Sequence, residues 1–131
     1  MDDITRIVID AMGGDNAPTC NIQGAVDSVN IHKDVHIILV GKEDIIKEGL
    51  SKYEYDKSRI EIINAEENIT CDEPPVMAVR RKKDSSIVVG MKLVKEGKAD
   101  AFLSAGSTGA VLVGGQFIVG RLKGVDRPPL A

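Results

Sequence analysis

The sequence predicts an α/β fold built on a mainly parallel sheet. Three observations carry that expectation. Short apolar runs of strand length alternate with stripes at helical spacing, and two of the runs end in glycine-rich turns.

In chain order, Arg6–Asp10 is a β-branched strand that ends in the turn Ala-Met-Gly-Gly-Asp-Asn-Ala. Pro18 suits the first turn of a helix, where its missing N–H costs nothing. Ile22, Ala25, Val26 and Val29 then form one apolar stripe. Val35–Val40 reads as a second strand closed by Gly41, Ile45, Ile46 and Leu50 as a short helix, and Ile60–Ile63 as a third strand. A loop from Asn64 to Asp72 leads to Pro74-Pro75 and a helix carrying Val76, Val79 and the basic run Arg80–Lys83. Asp84 or Ser85 caps the next helix, whose Ile87, Met91 and Val94 share a face before Gly97 ends it. Ala99–Ser104 is expected to be the fourth strand, turning through Ala105–Gly109 into a last helix from Ala110 to Leu122. That helix is apolar almost all round, which calls for burial on several sides. The chain is therefore read as one α/β domain over residues 1–131, whose last helix is either covered by a partner or, the favoured reading, left uncovered because the chain is a fragment.

Composition narrows the function. The 131 residues are 43% hydrophobic, enough for one core, and the net charge of -3 argues against a globally basic nucleic-acid binder. Aromatics at 3% and no Trp leave little to stack on bases, so no nucleic-acid partner is expected. Cys20 and Cys71 form no C-x-x-C pair and, with His32 and His36, assemble no zinc spacing, so no metal and no cofactor is expected. The acidic start Met1-Asp2-Asp3-Ile4 is not a signal peptide, and Ala110–Val119, broken by Gly114, Gly115 and Gln116, is too short for a membrane span. The expectation is a cytoplasmic protein with reduced thiols. G-x-G-x-x-G, P-loop, H-E-x-x-H and G-x-S-x-G motifs are absent.

In an open parallel sheet, ligands bind where strands run into helices. Two such loops are glycine-rich, Asp10–Pro18 with Gly13, Gly14, Asp15 and Asn16, and Ser104–Gly109 with Gly106, Ser107 and Thr108. Glycine lets backbone N–H groups approach an anion closely. Either loop alone reads equally as an ordinary turn, and the basic run reads first as a solvated face. Two loops together point to anion binding. Asp10 and Asp15 are expected to orient neighbours rather than to bind the anion directly.

The blocks Ile7–Pro18, Asp72-Glu-Pro74, Ala78–Lys83, Ser85-Ser86, Ala99–Ala101, Ser104–Ala110, Phe117–Arg121 and Gly124–Pro128, all in order, resemble the phosphate acyltransferase family of phospholipid synthesis. That resemblance implies a Rossmann-like α/β/α sandwich, similar to isopropylmalate dehydrogenases and phosphotransacetylases, with this chain as the amino-terminal part of a longer enzyme. It also implies a homodimer that moves a fatty acyl group from acyl carrier protein to inorganic phosphate. The acyl phosphate would pass to a membrane glycerol-3-phosphate acyltransferase, and the full-length protein would sit peripherally at the membrane. On this reading Asn16, Lys82, Ser107 and Thr108 are the catalytic candidates. Gly13, Gly14, Asp15, Lys83, Ser104, Gly106 and Gly109 are the substrate-binding candidates, with Lys82 and Lys83 also candidates for contact with the carrier. Position 107 departs from the family, which usually has Asn there. The rival readings are a truncated domain that binds the carrier or self-associates without turnover, and a phosphotransacetylase-like enzyme using acyl-CoA.

Overall fold

The computed structural model describes residues 4–120. Four strands, β1 (Thr5–Asp10), β2 (Val35–Gly41), β3 (Ile60–Asn64) and β4 (Ala101–Leu103), form an all-parallel sheet in the order β3-β2-β1-β4. Helices α1 (Thr19–Ile31) and α2 (Glu43–Leu50) lie on one face. Helix α4 (Ser86–Lys95) covers the other, with α3 (Pro75–Arg81) and α5 (Thr108–Gly114) packed beside it. This is the layered α/β arrangement the alternating pattern calls for.

Side-chain alternation sorts the core into the two faces. Ile37, Leu39 and Ile60 turn toward the α1 stripe, where Ile22, Ala25, Val26 and Val29 are all buried as their spacing requires. Val8, Ile38 and Val40 turn toward α4, meeting Val89, Leu93 and Phe102. Burying a side chain of this size stabilises by roughly 1.5–3 kcal/mol. Both faces of β2 are therefore covered, which is why its sequence is continuously apolar rather than alternating.

Local chemistry sets the element ends. The Ser85 hydroxyl accepts from the Val88 N–H, so of the two expected caps for α4 it is Ser85 that serves. Gly97, at φ 77°, lets the N–H groups of Gly97 and Lys98 return to Val94 and Leu93 and close that helix.

Three boundaries differ from the sequence expectation. Helix α3 stops at Arg81, so Lys82 and Lys83 lie beyond its last turn. Strand β4 pairs only through Ala101–Leu103, and Ser104 meets Asp10 of β1 through its side chain instead. Helix α5 begins at Thr108 rather than Ala110, because the Ser107 hydroxyl accepts from the Ala110 N–H. A π-helical turn, Gly115–Val119, follows it, and the expected continuation to Leu122 lies outside the described residues.

Candidate functional site

The strand order decides where the two glycine loops fall. The chain runs outward from β1 through β2 to β3 and then returns to place β4 on the free side of β1. The carboxyl ends of β1 and β4 are thus neighbours at the point where the order reverses, the place where open α/β sheets bind ligands. The loop after β1 and the loop after β4 meet there.

They meet backbone to backbone. A Cβ on Gly13 would stand 2.5 Å from Asp10 Oδ2, 2.9 Å from the Gly106 nitrogen and 3.0 Å from its Cα. One on Gly14, whose φ is 104°, would stand 3.2 Å from the Ala105 Cβ. Glycine is required at both positions, by close approach at Gly13 and additionally by backbone conformation at Gly14.

Asp10 organises this crossing. Only 1% of its surface is exposed, and its two oxygens are both engaged. Oδ1 accepts from the Met12 N–H at 3.0 Å, and Oδ2 accepts from the Ser104 hydroxyl at 2.8 Å. Ser104 Oγ in turn accepts from the Gly106 N–H at 3.0 Å. On the other side of the turn, Asn21 Nδ2 donates to the carbonyls of Asp10 and Gly13, both at 2.9 Å.

The candidates therefore separate by what they do. Gly13, Gly14, Ser104 and Gly106 come together, with Ser107, Thr108 and Gly109 next along the chain. The hydroxyl of Ser104 and the N–H of Gly106 are already engaged inside the protein. Ser107, expected to donate to substrate, is 3% exposed and caps α5. Serine and asparagine are both strong N-caps, so a serine at position 107 keeps the cap that asparagine would provide. Asp15 and Asn16 are exposed. For the N–H groups of Gly13, Gly14, Asp15 and Asn16, no acceptor is found among the described residues. Thr108 and Gly109 form the first turn of α5, on the loop that meets them. Asn21 carried no motif. Its only signal was its place one residue before buried Ile22, at the end of α1 that faces the turn.

Lys82 is committed elsewhere. Its ammonium lies 2.7 Å from Glu73 Oε1 and donates to the Asn68 carbonyl at 2.9 Å, which ties down the segment leading into α3. That helix abuts the site at its other end, since a Cβ on Gly109 would stand 2.5 Å from Pro75 Cγ. Lys83 is exposed. The hydrogen bond from Lys82, with the Thr70 N–H second, holds the Glu73 carboxyl below its ordinary range. A group with a depressed folded pKa stabilises above its unfolded value and loses that contribution as pH falls through the folded one. Glu73→Gln is therefore expected to lower the urea midpoint at neutral pH, with the gap to wild type closing as pH drops below the ordinary glutamate range. A gap that stayed constant down to strongly acidic pH would remove this role.

The two histidines lie away from the glycine loops. His36 Nε2 lies 3.8 Å from Glu61 Oε2, on β2 and β3, and His32 follows the end of α1. Among the described residues, no three His, Cys, Asp or Glu side chains gather where a metal could be held. No described helix is long and apolar enough to cross a membrane.

Comparison with known proteins places the sequence. A family model described as "Fatty acid synthesis protein" matches residues 5–131. The chain belongs to this family. Among its relatives are proteins named phosphate acyltransferase from Alkaliphilus oremlandii, Clostridium tetani and Clostridioides difficile. The first is 57% identical over 126 residues, covering 96% of this chain and 37% of the relative. The second is 53% identical, covering 96% and 38%, and the third 53% identical, covering 95% and 36%. The chain thus spans little more than a third of the length of these relatives. The resemblance read from the ordered sequence blocks stands.

Proposed function

We propose that the full-length protein carrying this segment transfers a fatty acyl group from acyl carrier protein to inorganic phosphate. The observation that supports this most is the contact of two glycine loops at the switch point, with backbone donors left free around Gly13–Asn16. The name shared by the relatives agrees with it. Phosphate is anionic at neutral pH and needs positioning more than deprotonation, which suits a site of backbone donors. A phosphate oxygen attacks the thioester carbonyl, the C–O bond forms, the C–S bond breaks, and the carrier thiolate leaves and takes up a proton. On this reading the N–H groups of Thr108 and Gly109, in the first turn of α5, are assigned to the oxyanion of the tetrahedral intermediate, where one such donor is worth on the order of 3 kcal/mol in the barrier.

Beside the loops, a cavity of about 220 Å³, lined by the apolar Ile9, Leu103 and Ala105 and by the polar Asp10, Asn21 and Ser104, is assigned on this reading to part of the acyl chain. Lys83 is offered to the acidic carrier. The reading brings with it a cytoplasmic homodimer that acts at the membrane surface and supplies acyl phosphate to a glycerol-3-phosphate acyltransferase.

Release of carrier thiol should depend on phosphate, and hydroxylamine should trap an acyl phosphate. Release at the same rate without phosphate would overturn the proposal, and a preference for acyl-CoA would move it to the phosphotransacetylase-like reading. One observation favours a second reading for the 131 residues by themselves. Leu103 is 59% exposed on the α1 face of β4, which suits a piece that self-associates or binds carrier without turnover.

A further inference from the structure

Asp10 poses a problem for an anion site. Its carboxyl group is buried directly beneath the loops, where a negative charge facing phosphate would weaken binding. Its geometry resolves this. Both oxygens are taken up by donors from the protein, and the Ser104 hydroxyl passes the interaction across to the Gly106 N–H on the second loop. Residues 94 apart in sequence are joined by one hydroxyl, at the point where Gly13 and Gly106 approach most closely. Asn21 fixes the other flank by holding the two carbonyls that bracket the start of the turn.

We propose that Asp10, acting through Ser104, is a positioning residue that sets the spacing of the two glycine loops and thereby the affinity of the site for phosphate. The inference rests on the reading of these loops as a phosphate site. Asp10 does not touch the anion. It holds the Met12 N–H directly and the Gly106 N–H through Ser104, and so fixes the two loops on either side of the exposed stretch Gly14–Asn16.

Asp10→Asn replaces one acceptor with a donor, so the side chain can no longer accept from both the Met12 N–H and the Ser104 hydroxyl on separate oxygens, whereas Ser104→Ala removes the bridging hydroxyl and Ser104→Thr keeps it. The test is binding of inorganic phosphate to the full-length protein, followed by phosphorus NMR, with each variant's melting temperature measured alongside. Asp10→Asn and Ser104→Ala are each expected to weaken phosphate binding by about tenfold or more, and Ser104→Thr to restore it. The double variant should be no weaker than the worse single variant, because the two side chains act as one unit. A purely structural role would lower the melting temperature in step with binding and would not show this coupling. Single variants that bind like wild type, losses that multiply in the double variant, or a wild type that does not bind phosphate would overturn the inference. If phosphate binds and the variants behave as expected, but thiol release ignores phosphate, the acyl-transfer reading falls and the positioning role stands.

Discussion

Replacing Gly13 with alanine is expected to lower phosphate-dependent turnover of the full-length protein by about a hundredfold, the scale on which a displacement of about 1 Å acts. The new methyl group would enter a space bounded by Asp10 Oδ2 at 2.5 Å and by the Gly106 backbone at 2.9 and 3.0 Å. Backbone cannot rotate aside as a long side chain can, and Asp10 is pinned by Met12 and Ser104. The loops must therefore separate, at a cost of about 1–3 kcal/mol in stability as well. Gly24 supplies the control for stability alone. It lies in α1 with nothing within 4 Å of a would-be Cβ, so Gly24→Ala should stabilise by up to about 1 kcal/mol through helix propensity alone. Urea unfolding should show the two substitutions moving the midpoint in opposite directions. A Gly13→Ala protein as active and as stable as wild type would mean that the loops do not need this contact.

That contact explains which parts of the site were legible in sequence. Each loop announced itself through its glycines after a strand-like run, and the α1 stripe of Ile22, Ala25, Val26 and Val29 fixed which way that helix faces. Periodicity carries no information about strand order, however. The order β3-β2-β1-β4 brings Ser104 to Asp10, and a hydrogen bond between residues so distant in sequence follows from topology alone. The same limit applies to Lys82. In sequence it is one of four consecutive cations, and only the fold of residues 68–73 back over the end of α3 gives it Glu73 as a partner. The start of α5 was missed for a different reason. Ser-Thr-Gly reads as a turn until the Ser107 hydroxyl is seen to cap the Ala110 N–H, which draws Thr108 and Gly109 into the helix. Asp10 is the intermediate case, since an orienting role was legible but its partner was not.

Arg59→Ala is expected to cost about 2–3 kcal/mol of stability, the scale of a hydrogen bond to a charged group that leaves its acceptors unpaired. Arg59 ends the single 3₁₀ turn Lys57–Arg59 before β3, and its guanidinium donates to three backbone carbonyls. These are Val29 at 2.6 Å, His32, and Val35 at 2.7 Å. Val29 lies in the last turn of α1, whose final carbonyls have no partner within the helix and carry the negative end of its dipole. One cation thus closes α1, braces the connection to β2 and anchors the start of β3. Three bonds do not contribute three full increments, because the half-buried guanidinium lets water replace part of what is lost. Arg59→Lys should recover only a fraction, since a single ammonium cannot reproduce the fork that reaches separate carbonyls. The phosphate site should not feel the change. Thirteen residues of α1, about 20 Å at 1.5 Å per residue, separate its end from the turn at Gly13–Asn16. The expected result is a lower urea midpoint with an unchanged Michaelis constant for phosphate, measured well below the melting temperature. A protein of wild-type stability would show that the three carbonyls are satisfied by water instead, and a raised phosphate constant would show that α1 transmits strain along its length to the loops.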